Sequence, residues 1–225
     1  MKICIVIPVY NEARRIGEIV EKIKARQWDV VVVNDGSTDY SAAIAKDKGA
    51  VVINHAGKQG KGISLRDGFI YALAQGFDGV IAMDGDGQHH VDDIENFIIK
   101  AKQHPHSVIS GNRMIDCPNM PFVRRLVNRL MSWMISFICH QPIPDSQCGF
   151  RFISTTVLKS ITLTSSDFEI ETEVLIKSSR QGFKIYSVPV QTIYGDELSK
   201  INPLIDTIRF FKYILKELLS PRSTK

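Results

Sequence analysis

The chain has 225 residues, 44% hydrophobic and 23% charged, the make-up of an ordinary globular domain long enough to bury a full core. Its net charge of +4 is too mild for a dedicated nucleic-acid binder and leaves room only for local basic patches facing an anionic substrate or membrane. Four cysteines (Cys4, Cys117, Cys139, Cys148) fall in no CxxC pair and no zinc-finger spacing, which points to a reducing, cytoplasmic setting with packed thiols.

In chain order, "ICIVIPVY" (3–10) and "WDVVVVND" (28–35) read as buried strands, because β-branched runs without polar alternation suit a sheet covered on both faces. Between them, "EARRIGEIVEKIKAR" sets Ile16, Ile19, Val20 and Ile23 at helical spacing with charge opposite. Strand, helix and strand within about thirty residues make a βαβ unit with parallel strands. The alternation continues through helix 41–49, strand 50–55, helix 62–76, strand 79–84, helix 91–104 and strand 107–113. This is the pattern of a doubly wound, mostly parallel α/β sheet flanked by helices, with ligands at the carboxyl ends of the strands. Beyond Asn112 come a basic amphipathic helix (122–140), a strand "CGFRFIS", a helix from Glu169, a strand from Phe183 and a C-terminal helix in 202–219. One domain is expected, with an alternating half (1–112), a second half of changed rhythm (113–200) and a C-terminal amphipathic helix and tail (201–225).

No segment approaches the roughly 18 apolar residues of a spanning helix, and "MKICIVIPVY" lacks a signal-peptide cleavage site. The expected place is cytoplasmic. Two helices leave open a peripheral position on the inner face of the membrane. One carries Leu204, Ile208, Phe211, Leu215 and Leu218 beside Arg209, Lys212 and Lys216. The other sets Arg124, Arg125 and Arg129 beside Met131, Trp133, Met134 and Phe137. Basic residues beside large apolar ones suit an interfacial helix, and packing within the domain or onto a second copy is the alternative.

Several strand ends carry chemistry. In "PVYNE", Tyr10 can stack on a base and Glu12 can accept ribose hydroxyls, or the stretch is a strand-to-helix turn. In "NDGSTD", Asp35 can accept from a nucleobase N–H or amine. "GKQGKG" is no Walker loop, but Lys61 on a glycine-rich turn before a helix suits a diphosphate, and a solvated turn is the other reading. In "MDGDGQHH", Asp84, Asp86 and Gln88 at i, i+2, i+4 aim hard oxygens to one side, as Mg²⁺ or Mn²⁺ shared with substrate phosphates requires. An EF-hand count from Asp84 fits at several positions but fails where His89 replaces the turn glycine and a strand replaces the incoming helix. Arg113 in "SGNR" and Arg151 in "DSQCGFR" can each offer a planar fork to phosphate. Of the acids in "DFEIETE", one is expected to do chemistry and the rest to cap or solvate.

The ordered set "IPVYNE", "VVNDGSTD", "GKGISLRDGF", "MDGDGQH", "GNR", "DSQCGFR", "FEIETE" and Ser199-Lys200 resembles family-two glycosyltransferases of the GT-A fold, and among them the polyprenyl-phosphate sugar transferases. The resemblance implies that Pro8, Tyr10, Glu12 and Asp35 hold the nucleoside. It implies that Asp84, Asp86 and Gln88 hold the divalent cation, that Arg113, Arg151 and Lys200 face phosphates, and that 1–112 is the nucleotide-sugar and metal half and 113–200 the acceptor half. The implied reaction is metal-dependent, inverting transfer of a sugar from a nucleotide-diphosphate sugar, UDP-glucose-like or GDP-mannose-like, to a polyprenyl phosphate. A saccharide or lipid hydroxyl acceptor is the alternative, with Asp145 as general base, and a non-catalytic nucleotide-sugar-binding subunit is a further one. The chain departs from the family in having no basic residue in "TIYGDELS" before Lys200.

Overall fold

The β-branched runs pair into a single seven-stranded sheet in a computed structural model whose described residues are 1–115, 120–191, 210–215 and 217. The strands are β1 (Ile3–Val9), β2 (Asp29–Asn34), β3 (Val51–Asn54), β4 (Gly79–Ala82), β5 (Val108–Asn112), β6 (Arg151–Ser154) and β7 (Ile185–Pro189). Their order across the sheet is β3-β2-β1-β4-β6-β5-β7, and every neighbouring pair is parallel except those made by β6. The reversal of β6 matters for the site. Arg151, its first residue, pairs with Ala82, the last of β4, so the chain entering β6 lies at the carboxyl end of the parallel strands. That places 145–150 at the crevice.

Helices α1 (Ile16–Ala25), α2 (Ser41–Asp47), α3 (Lys61–Ala74), α4 (Ile94–Gln103), α5 (Phe122–Cys139), α6 (Thr155–Ser160) and α7 (Glu169–Arg180) cover both faces. Side chains of β1 alternate between two cores. Cys4 and Val6 join Leu65 and Phe69 of α3 and residues of α5 and α7, whereas Ile5, Ile7 and Val9 join α1 and α4. Residues 210–215 are helical, and Phe210, Tyr213 and Ile214 bury into the first core. Two details differ from the sequence-based expectation. The helix expected at 91–104 opens with a 3-10 turn (Val91–Asp93), and the six-residue α6, capped by the Ser154 hydroxyl on Val157 N–H, interrupts what reads as loop. α6 is too short and too rich in β-branched residues for periodicity to reveal it.

Gly68 shows how closely α3 lies on the sheet. A Cβ there would sit 2.2 Å from Val6 Cγ1. Gly68→Ala is therefore expected to cost about 1–3 kcal/mol despite its better helix propensity. The urea midpoint measures this, and an unchanged midpoint would mean that α3 rides farther from β1.

Candidate active site

Three parallel strands end side by side, and the turns that follow them build the site. Asp35 follows β2 and donates its backbone N–H to Val9 O of β1 at 2.8 Å. Its buried carboxylate accepts from Gln59 N–H (2.7 Å) and Gly60 N–H (2.9 Å) and meets His55 Nδ1 at 2.9 Å. Asp35 thus shapes the "GKQGKG" turn, and most of its lone-pair capacity is spent inside the protein. His55, whose Nε2 reaches Asp67 at 2.9 Å, joins this network without having been singled out in the sequence. Its position at the end of β3 was the available signal.

Turns from β1 and β2 are sewn together by Asn11 N–H on Ser37 Oγ (3.0 Å), Thr38 N–H on Asn11 Oδ1 (2.8 Å) and Glu12 N–H on Ser41 Oγ (2.7 Å). Asn11 holds the left-handed conformation (φ 55°) that such a turn needs and that asparagine tolerates. Pro8, Tyr10 and Glu12 are half-buried along this edge, and the Lys58 ammonium lies 4.3 Å from the Tyr10 ring centroid.

The turn after β4 crosses directly over the end of β1: a Cβ on Gly85 would come within 3.0 Å of Val9 Cγ2. Asp84 lies 2.6 Å from Lys61 Nζ, and Lys61 Nζ lies 2.7 Å from Glu171 Oε1, so one ammonium is clamped between two carboxylates. Burial pushes the Asp84 carboxyl up, but the Lys61 charge beside it holds the group below its ordinary value. Burial likewise works against the Lys61 ammonium, and Asp84 with Glu171 more than offset it. Gly149 lies against this clamp, since a Cβ there would sit 2.7 Å from Glu171 Oε1 and 2.9 Å from Asp84 Oδ2 and would push those side chains aside. Glu171 is the member of "DFEIETE" that reaches the site. Glu173, fully buried, instead accepts from Thr164 and Ser165 backbone N–H.

Asp86 stands apart from this clamp. Among the described residues its carboxylate accepts one hydrogen bond, from Gln88 N–H at 2.9 Å. Burial first, and the Asp84 charge second, push it up to about 6. His89 is no metal ligand in this arrangement: its Nδ1 accepts Asp84 N–H (3.2 Å), its ring stacks on Phe150, and burial pushes it down to about 4. The strand-turn-3-10 setting also removes the EF-hand alternative, which needs a helix before the loop. Among the described residues no three His, Cys, Asp or Glu side chains gather into a ready-made metal cage. The two aspartates and the Gln88 amide fit a hard divalent cation that takes its remaining oxygens from a substrate.

The downstream residues bring two corrections. Asp145, expected as a candidate base, is 0% exposed and receives Arg113 Nε (2.7 Å), Arg113 Nη2 (2.9 Å), Arg113 N–H (3.2 Å) and Gln147 N–H (3.2 Å). Burial raises its carboxyl, but the bidentate guanidinium outweighs that and holds it below the ordinary range. No oxygen of Asp145 is left for a substrate hydroxyl. Arg151, expected to face phosphate, turns inward and donates to the carbonyls of Ser146, Cys148 and Glu171, so its role is to staple the 145–150 turn to α7. Arg113 itself donates Nε and Nη2 to Asp145, and its charge reaches Asp84. Lys200 lies outside the described residues.

Residues 4–162 match the family model described as glycosyl transferase family 2. The chain belongs to that family. It is therefore a glycosyltransferase, of the hexosyltransferase type. An uncharacterized protein of Methanocaldococcus jannaschii is 32% identical, covering 96% of this chain and 93% of the relative. The UDP-N-acetylglucosamine–dolichyl-phosphate N-acetylglucosaminyltransferase of Methanococcus voltae is 27% identical over 86% of each chain. Among solved structures, glucosyl-3-phosphoglycerate synthase of Mycobacterium tuberculosis, crystallised with Mn²⁺, UDP and phosphoglyceric acid, superposes with a TM-score of 0.73. That match covers 100% of this chain and 79% of the other at 17% identity, and it identifies the fold as GT-A.

Proposed function

We propose that this family 2 glycosyltransferase moves a hexose from a nucleoside-diphosphate sugar to a polyprenyl phosphate, inverting the anomeric carbon. The observation that carries the reading is the pair Asp84 and Asp86 at the mouth of β4, with Lys61 held in direct contact with Asp84. Asp84, Asp86 and Gln88 are the residues that would hold Mg²⁺ or Mn²⁺, which when bound neutralises charge developing on the diphosphate leaving group. Lys61 and Arg113 supply fixed positive charge to the same end of the sheet. Tyr10, Glu12 and the Asp35-shaped turn line the edge where a nucleoside would lie, beside Pro8.

The saturation of Asp145 supports a phosphate acceptor. A hydroxyl nucleophile needs a base to take its proton, whereas a phosphate monoester, with a second pKa of about 6, is already ionised. One acceptor oxygen then forms the new bond to the anomeric carbon as the bond to the diphosphate breaks, and the electron pair leaves with the nucleotide. The Methanococcus relative is named for a dolichyl-phosphate acceptor, in keeping with this choice.

Thermal-shift measurements with UDP, GDP, CDP and dTDP, each with Mn²⁺, Mg²⁺, Ca²⁺ or chelator, and with each cation alone, test the donor site. A ligand at about 100 times its dissociation constant adds about 2.7 kcal/mol, so a shift for one base that chelator removes is the expected result. No shift with any nucleotide, or a shift with Ca²⁺ alone, would sink the reading.

The Asp86 carboxyl also predicts a pH dependence. An acid raised to about 6 in the folded protein weighs against the fold above that pH, and this penalty fades as the pH falls toward the ordinary value near 4. Cation binding has to expel the same proton, because only the ionised carboxylate serves as a ligand. Nucleotide–Mn²⁺ affinity, measured calorimetrically, is thus expected to weaken as pH drops through about 6, approaching tenfold per unit. A flat profile from pH 7.5 to about 5 would contradict the assignment.

A further inference from the structure

His55 stands at the end of β3 with its ring held between two carboxylates. Nδ1 lies 2.9 Å from Asp35 Oδ1, and Nε2 lies 2.9 Å from Asp67 Oδ2. The frame around the ring is fixed. His55 N–H donates to Asn34 O at 2.9 Å, which carries the β2–β3 pairing one residue further. Asp67 directly precedes Gly68, where α3 seats against Val6 of β1.

What this arrangement changes is the number of acceptor positions that Asp35 has to offer. An imidazole carries at least one ring proton. That proton belongs on Nδ1, because the Asp35 side chain is 5% exposed and needs its donors from the protein, whereas Asp67, 38% exposed, can take them from water. A doubly protonated ring donates to Asp35 just the same. Oδ1 of Asp35 thus receives Gln59 N–H at 2.7 Å and His55 Nδ1–H at 2.9 Å, which fill its two lone pairs. Among the described residues Oδ2 receives one donor, Gly60 N–H at 2.9 Å, and keeps one acceptor position.

Building on the nucleotide-sugar donor proposed above, we infer that His55 is a positioning residue that makes Asp35 a single-acceptor reader of the nucleobase. The site then selects a donor with a uracil-type base over one that carries guanine. Uracil has one ring N–H between two carbonyls and needs one acceptor. Guanine presents a ring N–H and an amino N–H side by side, and a carboxylate satisfies both by giving one oxygen to each. With Oδ1 filled, one guanine donor is buried without a partner, a loss of about tenfold or more in affinity. Without the His55 donor each oxygen of Asp35 keeps one position, the pair that guanine needs.

Calorimetric affinities of the full chain for UDP and GDP, each with Mn²⁺, test this in the wild type and in two variants. His55→Asn keeps an amide N–H near the place of Nδ1 and gives up Asp67. His55→Gln reaches toward Asp67 and gives up the donor to Asp35. The wild type is expected to bind UDP at least about tenfold more tightly than GDP. His55→Asn should keep most of that ratio, and His55→Gln should bring it to within about threefold of unity. A histidine that only held the fold together would lower both affinities and leave their ratio unchanged. The inference is overturned if the wild type binds GDP as tightly as UDP or more so, if His55→Gln keeps the ratio, or if His55→Asn loses it as fully as His55→Gln. A preference for GDP would remove the base assignment and leave the transferase reading in place. Failure of the wild type to bind any nucleoside diphosphate with Mn²⁺ would remove both.

Discussion

Asp86→Asn is expected to lower turnover by a factor on the order of 10²–10³ while leaving the ion-free protein as stable as before, or slightly more so. The two effects part because Asp86 contributes charge without holding structure. Among the described residues its carboxylate accepts one hydrogen bond, from Gln88 N–H, and it sits beside the Asp84 charge at a cost, as its carboxyl raised to about 6 records. An amide there removes the repulsion and still accepts from Gln88, but it gives up the anionic oxygen that a cation needs. Asp84→Asn should behave differently. It loses the same ligand and also loosens Lys61, whose ammonium would keep only Glu171, so both turnover and melting temperature should fall. Paired thermal melts and initial rates for the two variants distinguish the cases. Equal loss of stability in both would show that Asp86 is a structural residue.

Asp145→Ala is expected to cost about 3–5 kcal/mol of stability, the largest loss from any single change at the site, because it strands a buried guanidinium. The carboxylate is 0% exposed and answers Arg113 with two side-chain bonds and one backbone bond. Asp145→Asn keeps the shape and loses the charge, so an intermediate loss is expected. Urea denaturation measures both. A general base would show the reverse signature, with normal stability and turnover lost in the hydroxyl-acceptor reaction. That pattern would reopen the hydroxyl-acceptor alternative and weaken the case for a phosphate acceptor.

How far the sequence reached depends on the range of the interaction. Strands such as "VVVV" (30–33) and the position of Asp84 and Asp86 just past β4 are legible because residue type and strand period act locally. The fates of Arg113, Asp145 and Arg151 are not local. They follow from β6 running against its neighbours, which folds the 145–150 turn back over the ends of β4 and β5 and buries both arginines. Nothing in "DSQCGFR" alone says that Asp145 will meet Arg113, 32 residues away. Glu171 was hidden for a related reason: four acids share its stretch, and only the placement of α7 against Lys61 separates it from Glu173. In α5 the 3.6-residue period announced a helix, but deciding that Met131 faces inward and Trp133 outward requires the core on which it packs.

The most direct test of the account is transfer itself. The purified chain would be incubated with Mn²⁺, a short polyprenyl phosphate or the corresponding polyprenol, and nucleotide sugars labelled in the hexose. The label would then be partitioned between organic and aqueous phases. Label is expected to enter the organic phase with one nucleotide sugar and the lipid phosphate, to stay aqueous with the polyprenol, and to stay aqueous when chelator is added. Equal labelling of polyprenol, or label that reaches neither lipid with any donor, would contradict it.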